Sequence, residues 1–101
     1  MDQSIADVSQ HLQQRLIAIR GRAARLSPMD MHAAMDAIRS EADRGGLHAM
    51  AGLAAMSAQL ALLPGCRITT GICLDHAGDA LAASTRAEEE AVLAAVAARL
   101  H

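Results

Sequence analysis

Residues 27–65 read SPMDMHAAMDAIRSEADRGGLHAMAGLAAMSAQLALLPG, and this stretch decides the fold. It opens on a helix start. Ser27 can cap the free N–H groups, Pro28 suits the first helical position, and Asp30 can close a capping box. Met31, Met35, Ile38 and Ala42 then recur at three- and four-residue steps, so one face is apolar. Gly45-Gly46 is a stop or a kink. A third helix follows from Leu47 to Leu63, ended by Pro64-Gly65. Two helices joined by so short a connection must lie antiparallel, which is the unit of a helical bundle.

The pattern continues on both sides. Upstream, Ile5, Val8, Leu12, Leu16, Ile19 and Leu26 predict a first helix over Ser4–Arg25, with Asp7 in its first turn and arginines concentrated in its second half. That order of charge suits the helix dipole. Downstream, residues 66–70 are read as a loop or a first turn, and a fourth helix is expected from Thr69 to Ala83. Thr85-Arg86-Ala87-Glu88 is a capping box opening the last helix, whose apolar stripe is Val92, Leu93, Val96 and Leu100. The expected architecture is all-α: an antiparallel four- or five-helix bundle filling residues 1–101 as a single domain.

Composition narrows the chemistry. The 101 residues contain no Phe, Tyr or Trp, so Leu, Ile, Val and Met must pack the core with Ala between them. Small residues let helix axes approach closely. All nine basic residues are Arg, which together with the Ala content suggests a GC-rich bacterial genome. A net charge of −2 argues against a nucleic-acid binder. The longest apolar region, Leu47 to Leu63, is broken by His48, Gly52, Ser57 and Gln59. A membrane span needs about 20 apolar residues. No secretory leader opens the sequence, so a cytoplasmic location is expected.

The third helix carries the candidate site. His48, Gly52, Ala55 and Gln59 fall on one strip of small or weakly polar residues. The strip is expected to face solvent, with space beside His48 because Gly52 has no side chain. His48-Ala49-Met50-Ala51-Gly52 resembles the His-x-(Leu/Ile)-Lys-Gly motif of histidine phosphotransfer domains, and Leu53-Ala54-Ala55 resembles the small residues that follow it. The resemblance covers about ten residues and implies a histidine phosphotransfer protein of a bacterial phosphorelay in two-component signalling. His48 would be the phosphoacceptor, and the partner would be a response-regulator receiver domain or a histidine kinase. The family's lysine is Ala51 here. Arg44 is its candidate substitute if the second helix runs on through Gly45-Gly46. Arg44, Gly52, Ala55 and Gln59 are therefore the binding positions beside His48. The chemistry is that of a phosphocarrier: a neutral imidazole is a nucleophile toward phosphorus, and the partner supplies magnesium.

Other constellations are thinner. Cys66, Cys73 and His76 are an incomplete set for a four-ligand metal site, so no metal and no cofactor are expected. Arg15-Leu16-Ile17-Ala18-Ile19-Arg20-Gly21 resembles a stretch of copper-sensing helical repressors, but that family's ligand pattern is not reproduced. No hydrolase triad, phosphate-binding glycine loop or oxidoreductase site is visible. The competing class is a non-catalytic helical interaction or dimerisation module, of which a degenerate phosphotransfer-like scaffold is one form. Met29, Leu62 and Ile17 fall off the apolar stripes and would be left to pack against a second chain, as in a homodimer.

Overall fold

The computed structural model describes residues 5–100, and among them it is all-α with no strand. Helix α1 spans Ile5–Arg22, α2 Pro28–Arg44, α3 His48–Leu60, α4 Cys66–Asp75, α5 Ala77–Ala82 and α6 Arg86–Leu100, with a 3₁₀ turn at Ala23–Arg25. Ser4 and His101 lie outside the described residues.

The caps form where the sequence places them. The Asp30 N–H donates to Ser27 Oγ at 3.1 Å, and the Glu88 N–H donates to Thr85 Oγ1 at 3.1 Å. Each satisfies one of the orphan donors of a first helical turn. Gly45-Gly46 is a full stop rather than a kink. Gly46 has φ +76, the Leu47 N–H donates to the Ala42 carbonyl at 2.8 Å, and the Gly46 N–H donates to that of Asp43 at 3.2 Å. These two bonds and the left-handed glycine are a Schellman motif, which consumes the free carbonyls at the end of α2.

Helix α3 is the centre of the bundle. Ala49, Met50, Ala51, Leu53, Ala54 and Ala58 are all buried, and the helix packs against α2, α4, α5 and α6. A helix apolar on most sides has to be surrounded. Its most extensive partner is the antiparallel α2, where His32 donates from Nδ1 to the Ala58 carbonyl at 2.7 Å. That bond sets the start of α2 beside the end of α3. The expected stripes of α2 and α6 reach the core: Met31, Met35, Ile38 and Ala42 are buried, Val96 is fully buried, and Val92, Leu93 and Leu100 pack against them.

Four boundaries differ from the sequence reading by more than one residue. Helix α1 ends at Arg22, and the expected run to Arg25 is a 3₁₀ turn. Helix α3 ends at Leu60, so Leu63 belongs to the connection and is exposed. Helix α4 begins at Cys66 instead of Thr69, because Gly65 takes φ +80 and turns the chain straight into the helix. The expected fourth helix is divided at His76, whose φ −97 and ψ 0 separate α4 from α5. The break coincides with a polar cluster. Asp75 accepts from Arg20 of α1 at 2.8 Å and from Arg99 of α6 at 3.4 Å, and Arg99 also donates to His76 Nε2 at 3.1 Å. The Arg20 hydrogen bond holds the Asp75 carboxyl below the usual carboxylate range, with Arg99 adding to it. Ile5, expected on the inner stripe of α1, is instead exposed.

Candidate functional site

His48 is the first residue of α3 and is exposed. Leu47 precedes it in the N-cap position and offers no side-chain hydrogen bond. The imidazole therefore sits at an uncapped helix N-terminus, where N–H groups and the positive end of the dipole favour an anion. It borders a groove of about 400 Å³ shared with Ala6, Ser9, Leu81, Ser84 and Glu89.

The structure separates the residues expected to act with it. The Schellman stop at Gly45-Gly46 ends α2, so Arg44 is not one helical turn before His48 and cannot stand in for the family lysine on the same helix. Ala51, at the lysine position, is buried. Gly52 does not leave open space. A Cβ built there would meet Leu93 Cδ1 at 3.3 Å, so the missing side chain is the slot that receives Leu93 of α6. Gly52 and Ala55 are half-buried, whereas Gln59 is exposed near the far end of α3. The strip is thus partly covered by α6 instead of lying open. Glu89 lines the same groove as His48 and puts a carboxylate on its wall.

The other histidines among the described residues are engaged elsewhere. His32 is tied to Ala58, His76 to Arg99, and His11 lies 3.8 Å from Glu41, which also pairs with Arg15. Cys66 is half-buried and Cys73 is buried. Burial pushes the Cys73 thiol up, with the Ser57 hydroxyl beside it opposing. Among the described residues, no three His, Cys, Asp or Glu side chains converge as a metal site. No described helix is long and apolar enough to cross a membrane.

A second surface lies at the other end of α3. Leu62, Leu63 and Ile68 follow that helix, and Met29 opens the α2 helix beside it. Ile68 is 73% exposed, Met29 67%, Leu63 54% and Leu62 48%. Close by is an apolar recess of about 230 Å³, lined by Ala23, Leu26, Pro28, Met31, Cys66 and Thr70. The sequence flagged Met29 and Leu62, and Ile17, which is 64% exposed on α1. It does not flag Ile68, because residues 66–70 read equally as a loop or a first turn. The signal was present: an early start of α4 puts Ile68 in its first turn, pointing away from Cys73 and Leu74.

No protein-family model, curated protein or solved structure matches this chain.

Proposed function

We propose that this chain is a non-catalytic helical interaction module whose binding surface is the apolar end formed by Met29, Leu62, Leu63 and Ile68. The observation that carries the reading is the concentration of exposed aliphatic side chains there, next to an apolar recess. A small domain without aromatic residues has little apolar surface to spare, and several large aliphatic side chains left exposed at one end mark an interaction site. The test is a photo-crosslinking amino acid placed at Ile68, at Met29, or at the exposed Ala94 of α6, with the protein produced in its own cells. Discrete adducts are expected from Ile68 and Met29 and none from Ala94. Equal labelling from all three positions, or none from any, contradicts the reading.

One observation favours the second reading, phosphotransfer through His48: its imidazole is exposed at an uncapped helix N-terminus. In that reaction the imidazole nitrogen bonds to phosphorus as the bond to a receiver's aspartyl oxygen breaks, and the aspartate leaves as carboxylate. Incubation with phosphorylated receiver domains should then label the wild type and leave His48→Gln unlabelled. Absence of label on both proteins across a full receiver panel rejects it.

A further inference from the structure

The two ends of the bundle differ in charge as well as polarity. Arg22 and Arg25 lie where α1 passes into the recess, and Arg67 lines it beside Ile68. Among the described residues none of the three arginines makes an ion pair, and neither does Arg44 at the other end of α2, whereas Arg15, Arg20, Arg39, Arg86 and Arg99 all do. Asp30 is the one acidic residue in the first turn of α2, against three unpaired cations. The apolar end is therefore an aliphatic patch rimmed by uncompensated guanidinium groups.

The opposite end carries acidic groups along its grooves, with Arg44 at the close of α2 as its cation without an ion pair among the described residues. The groove beside His48 is rimmed by Glu89. A neighbouring groove of about 290 Å³ shares Ala82 and Ala83 with it and adds Asp79, Glu88 and Val92. The Asp79 and Glu89 carboxylates make no ion pair within the described residues. Apolar grooves edged with unpaired carboxylates thus lie one α3 length, about 20 Å at 1.5 Å per residue, from a projecting aliphatic patch edged with unpaired arginines.

We propose that the occupant of the apolar end is the acidic end of a second copy of this chain, in a head-to-tail contact. This rests on the reading of the apolar end as an interface. Ile68 and Met29 of one copy enter the grooves between α5 and α6 of the next, and Arg25 and Arg67 face Asp79 and Glu89. Arginine suits that role because its planar fork pairs with carboxylates. A two-fold pairing of the apolar ends would set like-charged arginines against each other. A head-to-tail contact is heterologous, so it leaves one free end on every assembly and propagates beyond a dimer.

The experiment is sedimentation velocity of the full chain with two variants. Arg67→Glu/Ile68→Glu disables the apolar end, and Asp79→Asn/Glu89→Gln removes the charges of the acidic end without creating a partner for the first variant. Circular dichroism checks that both remain helical. Wild type is expected to form species larger than a dimer as concentration rises, and to lose them in high salt. Each variant alone is expected to be monomeric. Their equimolar mixture should form a dimer and nothing larger, because each supplies the end the other lacks. A monomeric wild type at all concentrations overturns the proposal. So does an acidic-end variant that still dimerises, which is the result a two-fold pairing of apolar ends gives. A monomeric wild type combined with crosslinks from Ile68 to a different protein removes the second copy and leaves the interaction module standing.

Discussion

Leu53→Ala is expected to lower the stability of the fold by about 2–5 kcal/mol, the usual cost of emptying a buried leucine site. Leu53 is fully buried near the middle of α3, the helix that packs against four others. The site has little capacity to collapse, because its own helix contributes mostly alanine: Ala49, Ala51, Ala54 and Ala58 already bring the helices close. Domains of this kind are stable by roughly 5–15 kcal/mol in all, so the variant should unfold at much lower urea with an unchanged slope. A loss below about 0.8 kcal/mol, what a single buried methylene group contributes, would show that α3 is not the centre of the core.

Gly52→Leu is expected to cost about 1–3 kcal/mol by overpacking. Its new side chain would enter the space held by Leu93, whose Cδ1 lies 3.3 Å from where a Cβ would stand. The origin of the effect is checked by a second change. If the clash is with Leu93, the double variant Gly52→Leu/Leu93→Ala should recover much of the loss, a coupling that distant sites do not show. If Gly52 instead kept a surface open for a docking partner, Gly52→Leu would leave stability unchanged and Leu93→Ala would not rescue it. Urea denaturation of the three variants separates these outcomes.

The Gly52 slot also shows where sequence reading stops. The bundle was legible because helix starts and stops are local chemistry: Ser27 and Thr85 cap, and Gly45-Gly46 stops. Three- and four-residue apolar spacing then orients each helix without reference to its neighbours. A glycine on a helix face announces missing volume but not what fills it. Whether the space beside Gly52 held solvent or Leu93 depended on where α6 returns, which is a long-range fact. The role expected of Arg44 failed for a similar reason, since Gly45-Gly46 permits either a kink or a Schellman stop until the Leu47 N–H finds its acceptor. The break at His76 is equally hidden, because Arg20, which pairs with Asp75, and Arg99, which bonds both Asp75 and His76, are far away in sequence. By contrast, the exposure of Met29, Leu62 and Ile17 could be read directly, because each falls off the stripe that buries its neighbours.

Opposed ends of one small bundle therefore carry complementary surfaces, and the fold has the effect of holding them apart at a fixed distance. Head-to-tail contact makes both ends change their exposure together. Carbene footprinting of the purified protein at low and at high concentration reads that exposure residue by residue. Protection on concentration is expected at Met29, Arg67 and Ile68 and simultaneously at Asp79, Ala83 and Glu89, with Ala94 labelled equally in both samples. Identical labelling at both concentrations would contradict the account, and protection confined to the apolar end would contradict the head-to-tail arrangement.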